Sequence, residues 1–374
     1  MEYKKVLFSD VSAKEWDAWV LNVPGSCHFH SAALLDYFSK FEEVEKNASF
    51  AFIDHTGKPL AICSLASSYL KDRGVHSISF GHAPCGVPVV APMPRQDRKK
   101  ILDNIISEIL AFAKENKASE VSFFWDPLNT LFMHEGGVIQ PATFELLRYN
   151  LIYEVENTIA VDLEKKIEDL SADVSKYHLR HIKRGYKKGL AVRVFNRENN
   201  ADQIDRIFKI FEDTHIKSAG RMTRPQATWD SMLDGMRQGK ATLFVTYLKD
   251  EAISFLYCGE FDCMAFGWSQ INLDEFEKEY SPRHLLEWEA ILYYKQKGFK
   301  YYEIGERYFT PQLYHVPSAK ELSISVFKER YGGMFLPKIK WMGYLDNGAM
   351  RAELKQKTGQ FVDNALLFSM PEQI

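Results

Sequence analysis

Cysteine is scarce in this 374-residue chain: Cys27, Cys63, Cys85, Cys258 and Cys263, an odd number and never in CxxC spacing. That usage excludes a disulfide framework, suits reduced thiols in the cytoplasm, and gives no zinc-finger pattern. No apolar run reaches transmembrane length, and the opening MEYKKVLFSDVSAKEW has no stretch of signal-peptide kind, so a cytoplasmic protein with at most peripheral membrane contact is expected. Charge of one sign is missing too: 47 Lys and Arg stand against 50 Asp and Glu, a net -3. A broadly cationic nucleic-acid coat is thereby excluded, though not a local basic groove. Walker, GxSxG and reactive-cysteine motifs are absent. His28-Phe29-His30 and His178–His181 lack a third ligand at known spacing, so no metal is expected.

What is present centres on Ser281–Glu306, SPRHLLEWEAILYYKQKGFKYYEIGE. Ser281 is the expected N-cap and Pro282 the first helical residue. Leu285, Leu286, Trp288, Ile291, Leu292, Tyr293 and Tyr294 cover most of the helix, which reads as buried between layers. Gly298 closes it, and Phe299–Ile304 follows as a strand. Gly305 is expected to set Glu303 and Glu306 on either side of the strand end, the place where α/β folds put ligands.

The order of elements repeats. Ser49–Asp54 and Pro59–Ser67 read as a hairpin, followed by strand Val75–Phe80, helix Lys99–Lys117 and strand Glu120–Trp125. The second half offers hairpin Ala241–Leu248 and Ala252–Gly259, strand Cys263–Ser269, the Pro282 helix and its strand, preceded by helices Asp202–His215 and Pro225–Gln238. This pattern predicts a mixed α/β chain of two similar domains, 1–163 and 164–345, with a helical tail over 346–374 that packs back on a domain.

Four clusters carry chemistry. In DVSKYHLRHIKRGYKKGLAVR, Lys176, Arg180, Arg184 and Lys188 recur every four residues and Lys183 and Lys187 widen the stripe, a surface able to hold phosphates or simply a solvated face. Arg221 and Arg224, in an irregular segment between helices, can clamp an anion bidentately or cap a helix end. Lys328, after the expected strand Leu322–Val326 and before Gly332-Gly333, can steady a developing negative charge or stand exposed in a turn. Glu303, Glu306, Tyr308 and His315 offer a base for an amine, or are structural groups at a strand end.

Taken in order, TIAVDL, the basic helix KYHLRHIKRGYKKG, AGRMTRP, FGWSQ, HLLEWEAILYYKQKGFKYYEIGE and FKERYGG resemble the FemAB-like branch of the GNAT acyltransferase superfamily over about Trp16 to Tyr344. The resemblance implies tandem GNAT-like domains, each a mixed sheet flanked by helices, and acyl transfer to an amine. It places Lys328 at the reacting centre and maps the pre-strand basic residues to Arg180, Lys183 and Arg184. The family's Gly-rich pyrophosphate turn is replaced by Glu279-Tyr280-Ser281-Pro282-Arg283, and no heptad-rich arm is present.

The expectation is therefore an N-acyltransferase moving an acyl or aminoacyl group from acyl-CoA or aminoacyl-tRNA to an amine on a sugar, peptide or cell-envelope precursor. Lys328, Glu303 and Glu306 are the catalytic candidates. Arg180, Lys183, Arg184, Ser281 and Arg283 face the donor; Arg221, Arg224, Trp268 and Tyr308 face the acceptor. The rival reading is a non-catalytic protein holding a ligand or partner in the same cleft. Oligomeric state is left open.

Overall fold

The computed structural model describes residues 2–135, 145–309 and 315–364. Among them a twelve-stranded mixed sheet forms the spine, flanked by helices. Its order is Leu190–Phe195, Ala241–Leu248, Glu251–Phe261, Met264–Asn272, Tyr301–Glu306, Ile152–Asp162, Met334–Tyr344, Glu120–Trp125, Val75–Ile78, Ala66–Leu70 and Val44–Asn47, with Cys85–Gly86 pairing Glu120–Trp125 off that path. A four-stranded sheet (Lys4–Leu7, Phe50–Ile53, Pro59–Cys63, Val89–Val90) covers the N-terminal side.

The two halves of the spine are built alike. Each centres on a parallel pair joined by a long helix: Val75–Ile78, helix Arg95–Glu115 and Glu120–Trp125 in one; Met264–Asn272, helix Pro282–Gln296 and Tyr301–Glu306 in the other. The expected hairpin of the first half forms, Phe50–Ile53 pairing antiparallel with Pro59–Cys63, but its second arm is shorter than expected, because the chain leaves the small sheet at Cys63 and enters the large one at Ala66. The halves also exchange strands. Ile152–Asp162, which follows the first half in sequence, pairs with Tyr301–Glu306 of the second, while Met334–Tyr344 returns to pair with Glu120–Trp125 of the first. Ile152–Asp162 and Met334–Tyr344 then pair with each other over nine rungs, from Ile152↔Met342 to Ala160↔Met334. The cores interlock accordingly: Phe261, Met264 and Phe266 belong to the same apolar cluster as Phe52, Ile78 and Phe123.

The Pro282 helix is buried between the sheet and the basic helix Lys176–Lys187, as its apolar coverage requires. Leu285, Leu286 and Ile291 are at most 1% exposed, each contributing roughly 1.5–3 kcal/mol of burial. Its strand runs Tyr301–Glu306, two residues later than the aromatic run suggests, since Gly298 at φ +81° and the turn after it occupy the first positions. The stretch expected as strand Leu322–Val326 is instead part of helix Ala319–Glu329. Ser318 and Glu321 form a reciprocal capping box there, which starts a helix despite the β-branched run. The C-terminal helix spans Asn347–Asn364; Ala365 and Leu366 of its expected apolar side lie outside the described residues.

Candidate active site

At the end of strand Tyr301–Glu306 the ladder with Ile152–Asp162 slips: Thr158 faces Glu306, Ile159 faces Gly305, and Ala160 faces Glu303. Thr158 and Ala160 are two apart and share a face, so the extra residue in the bulge brings Glu303 and Glu306 onto one face. They do not straddle the strand as expected. Gly305 at φ +119° permits the bulge, a conformation that L side chains rarely adopt.

The same face of Met334–Tyr344 presents Lys338. Its ammonium lies 2.5 Å from Glu303 Oε1 and 3.6 Å from Glu306 Oε1, with the side chain only 6% exposed. Thr158 donates its hydroxyl to Glu303 Oε1 at 2.6 Å. Glu303 is therefore buried and engaged through Oε1 by two partners, whereas the Glu306 side chain keeps 41% of its surface open. Lys328, in the last turn of helix Ala319–Glu329, reaches Glu306 Oε2 at 3.9 Å. Burial pushes the Glu306 carboxyl up, but Lys338 and Lys328 outweigh it and hold it below the ordinary carboxylate range. Burial likewise disfavours the Lys338 ammonium, and Glu303, Glu306 and Asp126 more than reverse that. Asp126, ending the central strand of the other half, is buried with Oδ2 at 3.5 Å from His28 Nδ1. Burial first, then Glu303, pushes its carboxyl up to about 7.

Sequence reasoning missed Lys338, Asp126 and Thr158. The signal for Lys338 was the alternation Pro337-Lys338-Ile339-Lys340-Trp341, opposite Glu154 and Glu156 across the ladder. Tyr308 lies by the carboxylates, in the cluster expected past the strand end: burial and then Glu306 push its hydroxyl up, and its ring contacts His315 at 4.9 Å.

Above this group the parallel strands separate. Met264–Asn272 pairs with Tyr301–Glu306 only at Met264↔Tyr301, Ala265↔Tyr302 and Phe266↔Glu303. Past Phe266 it continues for six residues with the hairpin partner alone, leaving a wedge whose inner edge has no strand partner among the described residues. Gly267 stands at the fork, 3.1 Å from the Tyr302 hydroxyl at its missing Cβ, and that hydroxyl donates to buried Glu287 at 2.7 Å.

The Pro282 helix N-terminus forms one rim. Ser281 sits at φ +52° and does not cap its helix by its side chain; it ends the preceding helix Asp274–Tyr280 instead. Its hydroxyl meets Arg184 and His181, the latter at 2.9 Å. Arg184 also donates to Lys278 O, and Arg283 pairs with Glu277 at 3.2 Å while lying over Phe327. Arg180 and Lys183 are exposed on the basic helix; Arg180 and Arg330 flank the Tyr177 ring at 5.5 and 5.0 Å. Behind them His284 packs on His178 and His181, each ring pair 4.6 Å apart. Burial, with the neighbouring imidazoles and arginines, pushes His284 down to about 2; burial pushes His178 down to about 4. These rings are neutral at physiological pH, and the surrounding arginines disfavour a metal cation there.

A groove of about 650 Å³ lies between the halves, lined by Phe38, Phe41 and Phe80 on one side and by Arg221, Met222 and Arg224 on the other. Arg224 is fixed over Trp229 at 4.6 Å and donates to the Tyr37 hydroxyl at 3.2 Å; Trp268 packs against Tyr37 with ring centroids 4.5 Å apart. The expected site residues thus fall into three neighbourhoods: carboxylates with two lysines, a helix N-terminus with arginines, and an aromatic groove with arginines.

Residues 176–310 match the acetyltransferase (GNAT) domain family. Over nearly the whole chain the fold is that of FemX, at 13% identity, with 94% of this chain and 100% of that one covered and a TM-score of 0.67. The structure of L-PGS from Bacillus licheniformis is similar at 12% identity, 94% and 97% coverage and a TM-score of 0.56. A tandem GNAT protein from the clavulanic acid biosynthesis pathway is similar at 10% identity, 92% and 98% coverage and 0.51. No protein of curated function matches in sequence.

Proposed function

We propose that this chain, an acyltransferase of the GNAT fold in its tandem, FemAB-like form, transfers an acyl or aminoacyl group to an amine of a sugar, peptide or cell-envelope precursor. The observation that carries the reading is the wedge past Phe266↔Glu303, opening directly beside Glu306, Lys328 and Lys338. A donor ester or thioester laid in that wedge meets unpaired backbone on one side and a carboxylate on the other. The amine nitrogen attacks the carbonyl carbon; Lys328 and backbone N–H groups steady the oxyanion; Glu306 takes the ammonium proton. Collapse breaks the bond to the leaving thiol or ribose hydroxyl, which departs with the proton that Glu306 took from the amine, so the carboxylate is regenerated. No covalent enzyme intermediate is formed. Of the two carboxylates Glu306 suits the base, because Glu303 is buried and occupied by Lys338 and Thr158, which makes it a positioning group.

The donor is acyl-CoA or an aminoacyl-tRNA acceptor end. Ser281, Arg184 and Arg283 at the helix N-terminus, with Arg180 and Lys183 outside it, are assigned to donor phosphates. Arg221, Arg224 and Trp268 are assigned to an anionic acceptor in the groove, with Tyr308 at the acceptor amine. Two lobes, 1–163 and 164–345, and a tail 346–374 belong to the same reading, as does a cytoplasmic protein touching the membrane at most peripherally; no described helix is long and apolar enough to cross one. The test is Lys328→Met with a panel of acyl donors and amine acceptors. Turnover should fall about 10²–10³-fold with little change in acceptor KM. Unchanged turnover would remove Lys328 from the chemistry. No product from any donor, with a saturable thermal shift, would favour a ligand-holding protein.

A further inference from the structure

The turn between Glu251–Phe261 and Met264–Asn272 consists of two residues, Asp262 and Cys263, with Phe261 paired to Met264. Asp262 sits at φ +53°, which fixes a tight hairpin and sets its carboxylate and the Cys263 thiol side by side, Sγ to Oδ2 at 3.9 Å. Across from them His134, at the end of helix Thr130–Glu135, brings Nε2 to 2.6 Å from Asp262 Oδ2. The three donor atoms, one nitrogen, one oxygen and one sulfur, all lie within 4.8 Å of one another.

This convergence is held from outside the triad. Lys300 donates its backbone N–H to Cys263 O at 2.8 Å and its ammonium to Met133 O at 3.0 Å, so one residue pins both the hairpin turn and the segment bearing His134. Phe132 packs on Tyr301 at 5.1 Å, reinforcing the same junction. The ligand-bearing segments are 128 residues apart in sequence and come from opposite halves of the molecule, so chain-neighbour geometry does not explain their meeting.

We propose that His134, Asp262 and Cys263 bind one divalent ion of the zinc class, with water in the fourth position. A neutral imidazole, a carboxylate and a thiolate suit the borderline softness and tetrahedral habit of Zn²⁺, and the two anionic ligands neutralise it. Binding releases the thiol proton to solvent and leaves the imidazole proton of His134 on Nδ1, so that Nε2 is free to ligate; the His134 and Asp262 side chains, now closer than two ligands of one ion, move apart by roughly half an ångström. The ion would tie the Thr130–Glu135 segment to the hairpin that begins the splayed strand, stapling the halves at the root of the wedge.

Cobalt tests this directly on the chelator-stripped full-length protein. Cys27, Cys63, Cys85 and Cys258 are buried, which leaves Cys263 as the thiol within reach of solvent. One equivalent of Co²⁺ should produce a thiolate-to-cobalt charge-transfer band with tetrahedral visible transitions, and Zn²⁺ should bleach it. Cys263→Ser should abolish the band, and His134→Ala should weaken binding at least tenfold; Zn²⁺ should raise the thermal midpoint of the unsubstituted protein and of neither variant. Cobalt bound without a thiolate band, a band that survives Cys263→Ser, or no stoichiometric binding would each overturn the site.

Discussion

The two halves of the sheet run the same course until their parallel strands separate, and there they part. In the second half no strand among the described residues enters beyond Phe266↔Glu303, so the fork stays open there. In the first half Val75–Ile78 and Glu120–Trp125 pair at Ser77↔Glu120 and Ile78↔Val121, and then the chain turns back through the Phe80–Ala83 bridge. Cys85–Gly86 occupies the vacated position, pairing with Phe123 and Phe124. Gly86 is needed for that plug, since a Cβ would lie 2.9 Å from the His30 imidazole. The strand ends differ too. Glu306 follows a bulge and is held ionised beside two lysines; Asp126 follows a regular ladder and is shut in with neutral His28. One half retains the opening; the other has its opening filled and its acid buried. The proposed chemistry accordingly belongs to one wedge, with the other half supplying Asp126, the groove wall at Phe38–Phe41 and the partner of the Lys338 strand.

Lys338 is where the halves meet, and its replacement should have the largest effect. Lys338→Met leaves Glu303 buried with only Thr158 to satisfy it. Breaking a buried pair from one side costs about 3–5 kcal/mol, so denaturant midpoints should fall sharply and acyl transfer should be lost. A stable, active Lys338→Met protein would show that the carboxylates do not depend on the strand exchange.

Gly305→Ala probes the bulge that only the second half has. The left-handed backbone costs about 1–3 kcal/mol for a residue with a side chain, and the new Cβ would lie 2.3 Å from the Lys328 ammonium. Lys328 must swing away from Glu306, so turnover should drop as in Lys328→Met, with a modest loss of stability. Full activity with displaced stability would mean that the lysine acts from elsewhere.

Asp126 sharpens the contrast through pH. Its carboxyl titrates near 7 in the fold against an ordinary value of 3.8, so the native state holds a proton that the unfolded chain has already lost. Its favourable contribution is complete below about pH 4 and disappears as pH rises through 7. Glu303, Glu306, Lys338, His28 and the buried Cys27 thiol are charged or titratable groups around it. Asp126→Asn keeps the Oδ1 acceptor for the Leu128 N–H and cannot ionise. Relative to the unsubstituted protein it should gain on the order of 2–3 kcal/mol between pH 5 and pH 8, by urea denaturation at both. A pH-independent difference would place the proton elsewhere.

Much of this contrast was legible in the chain, and the losses have identifiable causes. Glu120–Trp125 and Ala241–Leu248 read as strands with correct ends because apolar, β-branched runs stop at Asp-Pro and Lys-Asp turns. The basic helix was visible from its four-residue charge spacing; its cap, Ser175, was not singled out in the sequence and emerges from the structure. The Ala319–Glu329 helix was obscured by alternating Leu322, Ile324 and Val326, although the capping box lay in plain view. Lys338 was hidden by Pro337, which argues against a central strand; the pairing with Glu120–Trp125 begins only at Ile339, so the proline faces no ladder on that side. The same-face placement of Glu303 and Glu306 needs a one-residue slip that no periodicity announces.

The smallest effect belongs to the exposed basic helix, and it distinguishes the donors. Arg180 and Lys183 stand in solvent, where individual ion pairs contribute little to stability, so the double replacement Arg180→Ala and Lys183→Ala should leave the unfolding midpoint unchanged. Their weight is in the salt dependence. If the donor is an RNA end, each lost phosphate contact lowers the slope of log K against log salt by about 0.7, and the double variant should flatten it by roughly 1.4. A coenzyme thioester gripped at the Pro282 helix N-terminus draws on Ser281, Arg184 and Arg283 instead, and the slope should then be small before and after the change. A steep slope that the variant leaves intact would move the phosphate surface off these two side chains and end the assignment of Arg180 and Lys183 to the donor phosphates.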